Sequence, residues 1–476
     1  MRQLNIRSRM LVLLLFFISN VGIIRAINSV CVTNASGLQT CAAKIFKPTT
    51  LQELQQAVLK AITDNKKVRA IGGLHSDISD VIVGDTNYFI DTSGLNRILE
   101  INVQKSTIKV QAGVNLRQLS LELAKVGLQL IDQPGPYDAT AAGMIANGAH
   151  ESGKHGCVSD SVLALELVDG KGIVREISPT SHAEWLSAAR VSLGVLGVIY
   201  SVTFQCYPAT IRHVLAEVQT ADQSFLNNIP QYLNESDNFQ FLINPYSRKV
   251  LKQTFNLAPQ PADNNTLQNF GHYLSQSQIC GDLSVILNPE IPVDAYLFID
   301  DAIIAGGAVD VREFFYKGYS FFHANTSSRA RLVEIAFDQN QIVPALEELF
   351  NLVQEYHTNS SDFILLSEVR YAKDSKFTLL SPTRSDKPSW MIGLILIYPW
   401  DTKAATSLLN DLTVRLQAAP FNGRPSWGNN PEFLTYADTK RMYGQPNVHA
   451  FNTVRRILDP NGIFYTPYFE QRLGPL

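Results

Sequence analysis

Apolar residues along this chain keep two rhythms, and the switches between them mark its elements. Leu51, Leu54, Val58, Ala61 and Ile62 recur at helical spacing behind Thr50, which with Glu53 has the form of a capping box, so a helix is predicted there. Short apolar runs bounded by turn residues predict strands in "KKVRAIGG", "NYFIDTSG" and "STIKVQAG", the last with Ile108 and Val110 on one face. A helix is predicted from Leu116 to about Gly127, and "VLALELVDG" with "GIVREIS" predicts a hairpin across Asp169 to Gly172. "LGVLGVIYSVTFQCYP" reads as a glycine-punctuated strand ending at Pro208, and a domain boundary is placed near Ala209. Past it, helices such as "IVPALEELFNLVQEYH" alternate with apolar strands such as "DFILLSEVRYA" and "WMIGLILIYPW", an order that predicts an α+β domain on an antiparallel sheet. The last fifty residues, through "FNTVRRILDPNGIFYTPYFEQRLG", read as one helix and a Pro/Gly-rich tail.

Length and charge narrow this picture. At 476 residues the chain exceeds one ordinary core, in keeping with two domains. A net charge of -3, a pI near 6.3 and the lack of any Lys/Arg block argue against nucleic acid as a partner. Arg2, Arg7 and Arg9 precede the apolar run from Met10 to Ile24, and Arg25 and Ala26 follow it, the form of a signal peptide over residues 1–26. That run is shorter than the roughly 20 residues a membrane span needs. The expectation is a protein that is secreted or held in the secretory lumen, with no strong membrane signal after cleavage. Sequons at Asn34, Asn234, Asn264, Asn325 and Asn359 suit a secreted glycoprotein. Of the five cysteines, Cys31 and Cys41 are placed to close a small loop, and the odd total leaves at least one unpaired. No C-x-x-C or other metal-ligand spacing occurs, so no metal is expected.

Two stretches break both rhythms. "GGLHS", from Gly72 to Ser76, and "AAGMIANGAH", from Ala141 to His150, lack bulky side chains, so backbone N–H groups can approach an anion such as a pyrophosphate closely. The second lies inside a run of small residues from Asp132 to Gly156, and a loop of that length in a compact region is commonly functional. Neither stretch is the G-x-G-x-x-G fingerprint or a P-loop. His75 in the first, and His150 and His155 at the end of the second, have as their ordinary reading a histidine bonded to its own turn. In "LLSEVRY" a strand puts Glu368 and Arg370 on one face, roughly 7 Å apart along it. Such a pair polarises a hydroxyl while neutralising charge on an acceptor, or is a plain surface ion pair. The lack of H-E-x-x-H, G-x-S-x-G and kinase signatures removes the usual support for zinc hydrolase, α/β-hydrolase and phosphotransfer chemistry.

Taken in order, "VRAIGGLHSDISD", "STIKVQAGV", "DATAAGMIANGAHESGKHG", "SLGVLGVIYSVTF", "SEVRY", "GRPSWG" and "ILDPNGIFYTPYFEQRLG" resemble the aldonolactone oxidases. That group includes L-gulonolactone oxidase and belongs to the vanillyl-alcohol-oxidase class of FAD enzymes. The resemblance implies a two-domain α+β fold: an FAD-binding domain of the PCMH type over 41–209, a substrate (cap) domain over 210–430, and a C-terminal segment, 431–476, returning to the FAD domain. It implies that His75 bonds covalently to the flavin and that Gly72, Gly73, Leu74 and Ser76 wrap the pyrophosphate. It places Thr140, Gly143, Asn147, Gly148, Ala149 and His150 against the cofactor, and Val198 and Ile199 near the adenine side. Glu368 would hold the substrate hydroxyl, and Arg370 would steady the substrate and the charge of the reduced flavin. Where the family reads R-P-H-W-x-K this chain has Ser426 and Asn429, which removes a cation from the catalytic site. The implied reaction is oxidation of a sugar lactone with O2 as acceptor, giving hydrogen peroxide. Alternatives are an alditol (polyol) oxidase, a dehydrogenase with a protein or quinone acceptor, or a flavin-bearing carbohydrate-binding protein of reduced activity.

Overall fold

The computed structural model describes residues 29–76, 87–134, 137–154, 156–236, 238–261, 309–316, 330–359, 363–383, 386–399, 402–429 and 434–476. The leader 1–26, His155, Cys280 and the sequons at Asn264 and Asn325 lie outside the described residues.

Behind Thr50 the helix spans Leu51–Thr63 and buries Leu54, Ala57, Val58 and Ala61. Only half of the capping box forms. The Thr50 hydroxyl accepts from the Glu53 N–H at 3.2 Å, but the Glu53 carboxylate reaches one residue further, to the N–H and hydroxyl of Thr49 at 2.7 and 2.9 Å. Three short strands, Lys44–Phe46, Tyr88–Asp91 and Val68–Ile71, form a parallel sheet with Tyr88–Asp91 in the middle. A five-stranded antiparallel sheet beside it runs in the order Val174–Ile177, Val162–Val168, Val198–Gln205, Thr107–Gln111, Ile98–Asn102. Its Ile108 and Val110 are fully buried, as period-two patterning requires.

Two sequence readings are corrected here. The small-residue stretch is not structureless: Ala141–Ala146 is helical, and the Thr140 hydroxyl caps it by accepting from the Gly143 N–H at 3.3 Å. Six residues are too few to display a helical period. The last fifty residues hold three helices, Tyr436–Tyr443, Gln445–Leu458 and Pro467–Leu473, where one was expected. Pro446 and Pro467 sit in first turns, where a missing N–H leaves nothing unpaired, so prolines that look like tail residues are helix starts. Val448, Phe451, Leu458, Phe469 and Leu473 from these helices join the same core as the helix Leu51–Thr63.

The second core is built on one eight-stranded antiparallel sheet. Its order is Val309–Tyr316, Thr210–Thr220, Lys249–Pro261, Asn238–Ile243, Ile364–Ala372, Ser389–Tyr398, Arg331–Phe337, Arg424–Pro425. Helices Ile342–Thr358 and Lys403–Gln417 cover one face, where Leu346, Leu349, Leu408 and Leu412 pack with Val333, Ile335, Val369 and Ile392. Because side chains alternate along a strand, Leu332, Glu334, Glu368 and Arg370 turn to the other face. That face closes a cavity against the first core. Among the described residues, no helix is long and apolar enough to cross a membrane.

Candidate active site

The cavity holds about 390 Å³, within the usual span for a small-molecule site. One end is the turn after the strand Val68–Ile71. Gly72, Gly73, Leu74, His75 and Ser76 all line it, facing Thr140, Gly143, Asn147 and Ala149. The glycines are required for the two loops to meet: a Cβ on Gly72 would strike the Thr140 hydroxyl, and one on Gly73 would strike the Asp138 carbonyl. Asn147 ties the loops by donating from Nδ2 to the Ser76 hydroxyl at 3.0 Å. Leu74 holds a left-handed backbone, with φ of 55°. His75 Nε2 is buried and has no hydrogen-bond partner. Burial pulls its imidazole below the ordinary value, and the Asp138 carboxylate only partly opposes this, so the ring is neutral near pH 7.

The other end is the sheet face. Strand register sets Glu334 and Glu368 in one row on either side of Gly393, each paired with that glycine. A Cβ on Gly393 would stand 3.4 Å from the Glu368 Cβ and the Leu332 Cδ1, so the glycine leaves floor space between two carboxylates. Arg370 Nη2 lies 2.6 Å from Glu368 Oε1, and Arg370 Nε lies 4.0 Å from Glu151 Oε1. His150 Nε2 is 3.1 Å from Glu334 Oε2, and Asn429 Nδ2 donates to the same oxygen at 3.2 Å. Glu334 is 4% exposed and Glu368 2%, so these are interior charges, not a surface pair.

The electrostatics follow from burial and neighbours. Burial drives both Glu368 and Glu151 above the usual carboxylate range, more than Arg370 draws them back. Burial would also raise Glu334, but His150, Arg370 and the Asn429 amide overcome it and hold the group down to about 2. Burial would lower His150, and the Glu334 carboxylate reverses that, leaving the imidazole above its ordinary value. Arg370, drawn by three carboxylates against the cost of burial, is held firmly protonated. The cluster thus contains one carboxylate kept ionised and a second, Glu368, poised to take a proton nearer neutral pH.

Most of the residues singled out in the sequence therefore meet in one cavity, which His150, Ile199, Glu368, Arg370, Ser426 and Asn429 also line. Gly148 and Val198 do not line it. Gly148 has φ of 69° and directs its Cβ position at Pro382, and Val198 is buried in the first core. Glu334, Glu151 and Gly393 escaped the sequence reading. Glu334 had a usable signal, a lone carboxylate within the apolar strand "RLVEIAF".

The residues lining the cavity suit a flavin dinucleotide. The loop end offers room beside backbone and an unpartnered buried imidazole nitrogen, and the sheet end offers fixed charge. Residues 42–178 match the FAD binding domain family, and residues 202–472 match the D-arabinono-1,4-lactone oxidase family. L-gulonolactone oxidase of Bos taurus is 29% identical over 443 residues, covering 90% of this chain and 95% of the bovine protein. L-gulono-1,4-lactone dehydrogenase of Mycobacterium tuberculosis is 26% identical over 455 residues, covering 93% of this chain and 99% of that one. Cholesterol oxidase from B. sterolicum shares the fold with a TM-score of 0.73 at 15% identity, over 94% of this chain and 97% of that one. The same holds for 6-hydroxy-D-nicotine oxidase from Arthrobacter nicotinovorans, with a TM-score of 0.64 at 14% identity over 94% and 98% of the two chains. With more than half of its length matched by the second family and an FAD-binding domain before it, this chain belongs to the D-arabinono-1,4-lactone oxidase family of FAD-dependent oxidoreductases.

Proposed function

We propose that this protein oxidises a CH–OH group of a sugar-derived lactone, with O2 as the final electron acceptor and hydrogen peroxide as product. One observation carries the reading: the buried Glu368 and Arg370 pair closes the end of the cavity whose other end is the Gly72–Ser76 loop. FAD, bound along the loops, would supply the two-electron acceptor for the substrate carbon. Glu368 accepts the substrate hydroxyl as a hydrogen bond and takes its proton, a role suited to a carboxyl raised by burial. Arg370 fixes the Glu368 carboxylate and keeps a positive charge at the reacting end. Glu334 fixes the His150 imidazole at the cavity wall through Nε2, and Asn429 shares the same oxygen. The L-gulonolactone oxidase and dehydrogenase relatives support a lactone as substrate.

His75 is the proposed covalent tether of the flavin, supported by its buried, unpartnered Nε2. Secretion is proposed on the leader-like N-terminus and on the disulfide between Cys31 and Cys41. The deciding experiment is the flavin spectrum of the purified protein, recorded anaerobically with a panel of lactones and then in air. Bleaching by a lactone, with recovery and peroxide release in air, is expected. Bleaching without recovery in air would replace the oxidase by a dehydrogenase, and bleaching by polyols alone would make it an alditol oxidase. No response to either panel by flavin-loaded protein would leave a carbohydrate-binding role. Acid precipitation tests the tether: yellow colour remaining in the pellet is expected, and colourless protein would remove His75 from that role.

A further inference from the structure

The N-terminal strands Val30–Thr33 and Gln39–Ala42 form an antiparallel hairpin in which Cys31 faces Cys41 and is joined to it by a disulfide. Its turn leans on the His75 loop. The Ala35 N–H donates to the Leu74 carbonyl at 2.8 Å, the Asn34 Nδ2 donates to the Ser76 carbonyl at 2.8 Å, and Ala35 itself lines the cavity. Val32 and Leu74 pack on the same small cluster of Ala42, Ile71 and Phe89. Two contacts thus bracket His75, one on the residue before it and one on the residue after. The first bears on Leu74, whose left-handed backbone a branched side chain adopts only when its surroundings hold it there.

Three of the four side-chain hydrogen-bonding sites of Asn34 are in use. Its Oδ1 accepts from the Ser36 hydroxyl at 2.9 Å and the Leu38 N–H at 2.7 Å, while Nδ2 serves Ser76, and the residue is 7% exposed. Yet "NAS" at 34–36 is a sequon, and a glycan would have to be accommodated on a buried nitrogen packed against the Ser76 carbonyl. Glycosylation leaves Nδ2 one hydrogen, so the two uses compete for space rather than for a valence.

We propose that the disulfide-closed hairpin is the outer wall of the cofactor site, that Asn34 is a positioning residue for His75, and that this sequon stays without a glycan in the working protein. The part concerning flavin attachment rests on the tether proposed above. The part concerning the loop does not.

The test compares Asn34→Asp with Ser36→Ala in the full chain expressed through a secretory route. Both substitutions destroy the sequon, but only Asn34→Asp removes the donor to Ser76 while keeping an acceptor for Leu38. Two readouts are taken: amide exchange in the peptide spanning the His75 loop, and acid-stable flavin per protein. Asn34→Asp is expected to speed loop exchange about tenfold, the worth of one buried hydrogen bond, and to lower acid-stable flavin severalfold. Ser36→Ala also deletes a buried hydrogen bond, that to Asn34 Oδ1, but leaves the donor to Ser76 in place, so it should change either readout by no more than about threefold. Exchange in the helix Ile342–Thr358, far from the hairpin in sequence, reports whether the variant is folded. Wild-type exchange rates in the loop of Asn34→Asp would overturn the positioning role. Equal losses in the two variants would overturn it too, since the glycan or the turn would then be at work. If wild-type protein carries no acid-stable flavin, the tether fails while loop exchange still decides the role of Asn34. Peptide mapping should find Asn34 unmodified, and a glycan there on flavin-loaded protein would overturn the last part.

Discussion

The two ends of the cavity are made on opposite principles. The loop end carries little charge: burial pulls His75 toward neutrality, the Arg69 guanidinium donates to the Leu193 carbonyl, and the walls are mostly glycine, alanine, Thr140, Asn147 and backbone. The sheet end concentrates Glu334, Glu368, Arg370 and His150 on one surface, with Glu151 behind. The loop end works by room, so added atoms should break it. The sheet end works by charge compensation, so it should break when a charge is deleted or moved.

The largest effect on this contrast is expected from Glu368→Gln. It keeps the shape of the site and removes the proposed proton acceptor, so kcat should fall by about 10² to 10⁴. Arg370 keeps Glu151 and Glu334 nearby, so flavin content and melting temperature should stay close to wild type. Single-turnover bleaching of the flavin by substrate measures this directly. A variant that bleaches at the wild-type rate would move the proton acceptor to another residue.

Gly73→Ala tests the opposite end by adding one methyl group where the Asp138 carbonyl already stands. Overpacking of this kind costs about 1–3 kcal/mol, paid here as separation of the two loops. Flavin occupancy should drop more than kcat per bound flavin, as seen by titrating flavin absorbance against protein. An equal fall in kcat per bound flavin would show that the two ends are not separable.

Glu334→Gln should act mainly through pH. The Glu334 contribution to stability is present above its ordinary value of 4.5 and is lost as pH falls through about 2. The His150 contribution is complete below its ordinary value of 6.5 and is lost as pH rises through the raised folded value. These are one interaction counted once, strongest between the two ordinary values. In Glu334→Gln burial is no longer opposed, so the His150 imidazole should titrate lower. The melting temperature should lose its alkaline decline, and activity should fall by about tenfold at neutral pH. Melts and rates measured across pH check both.

The contrast also explains what could be read in advance. The loop end lies in two contiguous stretches, "GGLHS" and "AAGMIANGAH", whose small residues are visible in one dimension. The sheet end is assembled from a loop, two strands and a C-terminal turn that are hundreds of residues apart or separated by other strands. Glu368 and Arg370 were legible because spacing of two places them on one face of one strand. Glu334 meets Glu368 only through register with Gly393, and register between distant strands is not written in local pattern. The alternation of helices and strands announced the antiparallel sheet, whereas the helix Ala141–Ala146 and the additional C-terminal helices were too short or too Pro-rich to announce themselves.

Asn429→Lys is expected to have the smallest effect and to be the most telling. In this chain the Glu334 carboxylate is met by a neutral amide from Asn429 at 3.2 Å and by His150 at 3.1 Å, so the imidazole carries the compensating charge. A lysine at 429 would offer Glu334 a permanent cation, and a charged hydrogen bond is worth about 1 kcal/mol more than a neutral one. Glu334 would then share its charge between two donors, and the His150 imidazole should titrate lower. The alkaline limb of the activity profile should move to lower pH, with a change in kcat of no more than about fivefold. Paired with Ser426→His it turns R-P-S-W-G-N into R-P-H-W-G-K, so rates on a panel of lactones would show whether the substitutions redirect substrate choice. Should the single variant leave the alkaline limb in place, Glu334 does not set the charge of His150, and the sheet end would be a structural ion-pair network beside a site that works without it.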